Sequence, residues 1–138
     1  MATAIDLYPN QYKEDDDYHY GPYDYQPIIN SFGEVLIQVD DNDYQGDTRV
    51  LLYGELGYGV LIFGWGSCSG CDSLQSCKSY EEIDDLIKDF NHDIKWFSSL
   101  EDCQLWAKNR DWELQYEWHC KETKEFVDKL INYKKEII

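Results

Sequence analysis

The sequence predicts an α+β domain. An antiparallel β-meander sheet carries three helices packed mainly on one face, after an irregular Tyr- and Asp-rich segment over residues 1–31. Three observations predict it. Apolar runs at 34–40, 48–53 and 58–64 are separated by short connectors, as hairpins require. Two Ser-x-x-Glu strings, each followed by helically spaced apolar residues, come after them. The chain has 138 residues, 43% of them hydrophobic, which suits one domain and is too apolar for a disordered chain.

The elements follow in order. Residues 1–31 contain all three prolines and no hydrophobic period, so they read as mostly irregular; their tyrosines can pin the segment to the body through an apolar ring and a polar tip. In 34–40, the period of two puts Val35, Ile37 and Val39 on one face. Residues 48–53 and 58–64 are continuous apolar runs, which suit strands buried on both faces. Residues 64–79 form a Gly/Ser/Cys loop. Ser79-x-x-Glu82 opens a helix in which Ile83, Leu86, Ile87 and Phe90 share a face. A short strand is expected at 93–97. Ser98-x-x-Glu101 then opens a helix to about Asn109, with Leu100, Cys103, Trp106 and Ala107 inward. Residues 112–120 alternate as a half-buried strand, and a last helix spans 122–136 with Phe126, Val127, Leu130 and Ile131 inward.

Charge is the chief functional signal. The formal net charge is −16. Residues 1–77 hold 13 acids and 2 bases, a net of −11; residues 78–138 hold 15 acids and 10 bases, a net of −5. Phosphate neutralisation needs clustered Lys and Arg, so direct nucleic-acid binding is not expected. Docking on an anionic membrane is disfavoured for the same reason, and no apolar run is long enough to span a bilayer. The start of the chain lacks the basic region and apolar core of a secretory signal, which points to a cytoplasmic protein. The anionic first half instead suits a basic protein surface, such as that of a nuclease or another nucleic-acid-binding protein. The expected contacts are Asp15, Asp16, Asp17, Asp40, Asp41, Asp43 and Asp47, with Tyr18, Tyr20 and Tyr23 as aromatic anchors.

Cys68-Ser-Gly-Cys71 with Cys77 is the sharpest local motif, and three chemistries use such spacing. A redox dithiol of thioredoxin type would need a later cis-proline, and no proline follows Pro27. Zinc needs four ligands; Cys68, Cys71 and Cys77 could supply three, with Cys103, His119 or Cys120 as the fourth, but no second Cys-x-x-Cys exists. The structural reading makes the cysteines small hydrophobes in a tight loop, with Ser67, Ser69 and Asp72 bonding its backbone. No cofactor is expected, zinc being the alternative.

The string Gly64-Trp65-Gly66-Ser67-Cys68-Ser69-Gly70-Cys71-Asp72-x-Leu74-Gln75-x-Cys77 resembles a motif of small uncharacterised acidic proteins of phages and prophages. The resemblance covers this motif and the strand before it. It implies a phage or mobile-element setting, where small accessory proteins often disarm host defences. The host-cell cytoplasm would then be the place of action.

Other constellations point less far. Asp41, Asp43, Gln45 and Gly46 match the start of an EF-hand loop, but position 12 is Leu52 where a bidentate Glu is needed. Glu113 and Glu117 would lie about 13 Å apart along a strand, too far for a glycosidase pair. No nucleophile elbow, catalytic triad order or P-loop accompanies His19, His92 and His119. An aromatic ligand pocket built from Trp65, Trp96, Trp106, Trp112 and Trp118 would have to overcome the negative field to take a phosphate. The expectation is a non-enzymatic nucleic-acid mimic, for example an anti-defence inhibitor of a CRISPR nuclease. An immunity protein against a nuclease toxin, or a small zinc or redox protein, are the alternatives.

Overall fold

The computed structural model describes residues 2–12, 20–112 and 120–134. Among the described residues nine elements follow in order: α1 (Ala4–Leu7), α2 (Gln26–Ser31), β1 (Glu34–Asp40), β2 (Gly46–Gly54), β3 (Gly57–Trp65), α3 (Tyr80–Asp93), β4 (Lys95–Phe97), α4 (Leu100–Asn109) and α5 (Cys120–Ile131). The strands form one antiparallel sheet in the order β1-β2-β3-β4, the expected meander of an α+β fold. Glu55 and Leu56 make a two-residue turn between paired Gly54 and Gly57. Gly57 has φ +108°, and a Cβ there would sit 2.2 Å from the carbonyl oxygen of Phe97, so only glycine fits.

Both faces of the sheet are covered. On one face Val50, Leu52, Leu61 and Phe63 pack against α1, α2, α3 and the Cys loop through Ala4, Ile28, Ile29, Leu74, Ile83, Ile87 and Phe90. On the other, Ile37, Val39, Leu51, Tyr58 and Val60 pack against α4 and α5 through Cys103, Ala107, Phe126 and Leu130. Two of the three long helices thus share a face, while α3 and the N-terminal segment close the opposite one. The continuous apolar runs of β2 and β3 follow from this double burial, since successive side chains enter opposite cores.

Four expectations are corrected. First, Val35, Ile37 and Val39 do not share a face. The pairing shifts between Val35 and Ile37, so Leu36 is an extra residue in β1. Such a bulge breaks alternation. Val35 therefore packs on the α3 side, and Leu36, Ile37 and Val39 pack on the α4–α5 side. Second, the first 31 residues are not wholly irregular. Thr3 caps α1, its Oγ accepting the Asp6 N–H and donating to the Asp6 carboxylate. Pro27 stands at the start of α2, where its fixed φ favours a helix and its missing N–H costs nothing. Third, α4 is capped by Ser99, which accepts the Asp102 N–H at 3.1 Å, and not by Ser98. Ser79 caps α3 as expected, but Glu82 reaches back to the Lys78 N–H instead of to that of Ser79. Fourth, Cys120 lies in α5 where it was expected to close a strand, and α5 ends at Ile131. Residues 113–119 of the expected strand, with Glu113, Glu117, Trp118 and His119, lie outside the described residues.

Candidate partner-binding face

The N-terminal tyrosines divide into two sets. Tyr8, Tyr12 and Tyr25 are structural. Their hydroxyls donate to the Asp24 carbonyl (2.6 Å), the Cys77 carbonyl (2.6 Å) and the Asp72 carboxylate (2.8 Å). Burial pushes all three phenols well above their ordinary range. Tyr25 also stacks with Phe63 and Phe90, at ring distances of 4.9 and 5.9 Å. The other set faces outward: Tyr20 is 55% and Tyr23 83% exposed, as an anchor must be.

Of the acids expected on this face, Asp15, Asp16 and Asp17 lie outside the described residues, with Tyr18. Asp40 and Asp43 are exposed and Asp47 is half-buried. Asp41 is corrected. It is buried, with its Oδ1 2.8 Å from Arg49 Nη1 and its Oδ2 accepting the Asp47 N–H at 2.7 Å. Arg49 in turn donates from Nε to Thr123 of α5 at 3.1 Å. Asp41 therefore locks the β1–β2 loop onto the sheet and is not available to a partner. Its engaged oxygens also leave the cation-loop reading without its first ligand. Gly46 allows this arrangement, since a Cβ there would come within 2.6 Å of the Asp41 side chain.

Three residues not expected as partner contacts are added in the anionic half. Tyr44 is 83% exposed at the tip of the β1–β2 loop. Asp24 and Trp65 line a depression of about 210 Å³ together with Gln26, Gln38, Asp40 and Thr48. A hydrogen-bond chain forms its floor. The Gln26 N–H donates to Asp24 Oδ1 (2.9 Å), and the side-chain amides of Gln26 and Gln38 pair reciprocally at 2.9 Å. Gln38 Nε2 reaches both oxygens of Asp40 at 3.3 Å, Thr48 Oγ1 donates to Asp40 Oδ1 at 2.7 Å, and Trp65 Nε1 donates to Thr48 at 2.9 Å. The network holds two carboxylates and an indole in fixed relation. Only a Tyr-Asp pair at 23–24 and a Trp at the end of an apolar run hinted at it.

The cysteines do not form the ligand set expected of zinc. Cys68 and Cys71 are exposed and joined as a disulfide. Cys77 belongs to the α3-side core, its thiol donating to the Ser73 carbonyl at 3.3 Å. Cys103 lies in the opposite core, and among the described residues no three His, Cys, Asp or Glu side chains converge as a metal set. The loop is organised instead by Asp72, which is 2% exposed. Its Oδ1 accepts from the Tyr25 hydroxyl and the Gly66 N–H (2.9 Å), and its Oδ2 from the Gln75 N–H (3.0 Å). The Tyr25 oxygen also accepts the Leu74 N–H at 3.1 Å. The described tryptophans are similarly dispersed. Trp65 and Trp96 pack on one side of the sheet and Trp106 and Trp112 on the other, so they do not build one aromatic pocket.

Burial pushes the Cys77 and Cys103 thiols up to about 11 from 9.0; at Cys77 nearby carboxylates add to it. The folded state therefore keeps these protons where the unfolded chain releases them. Their contribution is fully present below pH 9 and is lost as pH rises through about 11. Denaturant midpoints measured at stepped pH are expected to fall across that interval, and to fall less in a Cys77→Ala/Cys103→Ala variant; equal slopes would refute the assignment.

No protein-family model, curated protein or solved structure matches the chain. Among the described residues no helix is long and apolar enough to cross a membrane.

Proposed function

We propose that this chain is a non-enzymatic, phage-type accessory protein that inhibits a basic nucleic-acid-handling protein by occupying its nucleic-acid site. One observation carries the reading. Asp24 and Asp40 line one depression, and exposed Asp43, half-buried Asp47 and the exposed Tyr23 and Tyr44, next to Asp24 and Asp43 in the chain, belong to the same strongly anionic half. Carboxylates spaced along a strand end and loop can stand in for phosphates, and outward tyrosines supply apolar contact area. A host anti-phage nuclease, such as a CRISPR effector, is the partner class this suits; a nuclease toxin would be met by the same face. The cell cytoplasm is the compartment in which either would act.

The test is capture of a nuclease-class partner on the immobilised protein, followed by elution. Raising salt from about 0.05 M to about 0.5 M is expected to weaken binding by at least about tenfold, because screening shortens the reach of the field. Single-stranded nucleic acid is expected to displace the protein, and Asp40→Asn/Asp43→Asn/Asp47→Asn to weaken binding by a similar factor. A partner held equally at both salt concentrations, or not displaced by nucleic acid, would overturn the mimicry.

A further inference from the structure

We infer that the depression between α2, the edge strand β1 and the end of β3 is a receptor for a single arginine side chain of the basic partner. The inference rests on the anionic-face reading above and specifies its anchor point. A volume of about 210 Å³ is below the range of pockets for nucleotide-sized ligands but accommodates one long side chain. Its lining combines the two things a guanidinium needs. The half-buried Trp65 offers a ring on which a planar, weakly hydrated cation stacks. Asp24 and Asp40 offer carboxylate oxygens to the donors of the guanidinium fork.

The carboxylates are also pre-ordered. Asp40 is held by Thr48 and Gln38, Asp24 by the Gln26 N–H, and the two sides are joined by the Gln26–Gln38 amide pair. Little side-chain entropy is then lost when the cation enters. The Trp65 N–H is already spent on Thr48, so the indole presents its ring without an unmet donor. Among the described residues lining the depression there is no base, and Arg49 on β2 is buried against Asp41. Lysine, a compact and strongly hydrated point charge, gains less from stacking and from a two-carboxylate fork.

The experiment titrates the intact protein at low salt with a hexa-arginine and a hexa-lysine peptide, following indole N–H resonances by NMR. Hexa-arginine is expected to bind about tenfold tighter than hexa-lysine, and to shift the Trp65 resonance while leaving that of Trp106 in place. Asp24→Asn/Asp40→Asn is expected to remove that preference. Asp89→Asn/Asp128→Asn, which removes the same charge from exposed sites on α3 and α5, is expected to keep it. Trp65→Leu, which changes no charge, is expected to reduce the preference as well. Equal affinity for the two peptides, or a preference that survives Asp24→Asn/Asp40→Asn, would overturn the arginine site while leaving salt-sensitive anionic binding intact. Failure of both peptides to bind would overturn the site and the anionic-face reading together.

Discussion

Asp72→Ala is expected to destabilise the fold by about 3–5 kcal/mol, the scale for stripping a buried charged group from its hydrogen-bond partners. The carboxylate serves three donors from three places in the chain: the Tyr25 hydroxyl, the Gly66 N–H and the Gln75 N–H. Alanine leaves all three without that acceptor, at a carboxylate site that is almost wholly buried. The loss spreads, because Asp72 is where the Cys loop meets the N-terminal segment. Around it the Gly21 N–H donates to the Gln75 carbonyl at 2.9 Å, and the Tyr12 hydroxyl to that of Cys77. Gly21 approaches so closely that a Cβ there would lie 1.8 Å from the Leu74 carbonyl oxygen. Tyr25→Phe removes one of the three donors to Asp72 and the acceptor of the Leu74 N–H, and is expected to cost about 1–3 kcal/mol. Urea denaturation of both variants checks the ranking. An Asp72→Ala loss no larger than that of Tyr25→Phe would show that Asp72 is not the organising group.

Arg49→Met is expected to cost about 3–5 kcal/mol, because it leaves the Asp41 carboxylate buried without its cation. Removing both charges, as Arg49→Met/Asp41→Leu, is expected to recover much of that loss, since a buried pair is offset by the cost of desolvating it. The recovery will be incomplete. Asp41 also accepts the Asp47 N–H, and Arg49 also donates to Thr123, so the pair ties the β1–β2 loop to the sheet and the sheet to α5. The double-mutant cycle, measured by thermal or urea unfolding, isolates the coupling. Additive losses would mean that the two side chains act independently despite a 2.8 Å separation.

These two ionic centres mark where sequence reading and structure part. The helices were legible. Ser79, with Ile83, Ile87 and Phe90 at helical spacing, specifies α3 from residues within one local stretch, and burial of those three follows. The meander was legible because the connector between β2 and β3 is too short for anything but a hairpin. The double burial of β2 and β3 was also written in their unbroken apolar runs, although the helices were expected mainly on one face. In β1 alternation failed at Leu36, where a bulge depends on pairing with β2 and so has no local signature. Thr3 and Pro27 did carry helix signals, but they were obscured by a surrounding segment without hydrophobic period.

The candidate face was legible in its charge and not in its membership. Composition alone located the anionic half, and Asp40, Asp43, Tyr20 and Tyr23 are exposed there. It could not separate Asp41 from Asp40, because the difference is whether Arg49, eight residues on and on the neighbouring strand, lies beneath one of them. Nor could it separate Tyr25 from Tyr23, since Tyr25 is buried by packing against Phe63 and Phe90 and by its bond to Asp72, all distant in sequence. What the sequence determined by itself is what acts over a few residues or sums over many: helix caps, hairpin connectors, hydrophobic period and net charge. What the tertiary structure decided is which polar groups are desolvated together. A carboxylate's role depends on its burial and its donor, and in a folded chain both come from residues distant in sequence.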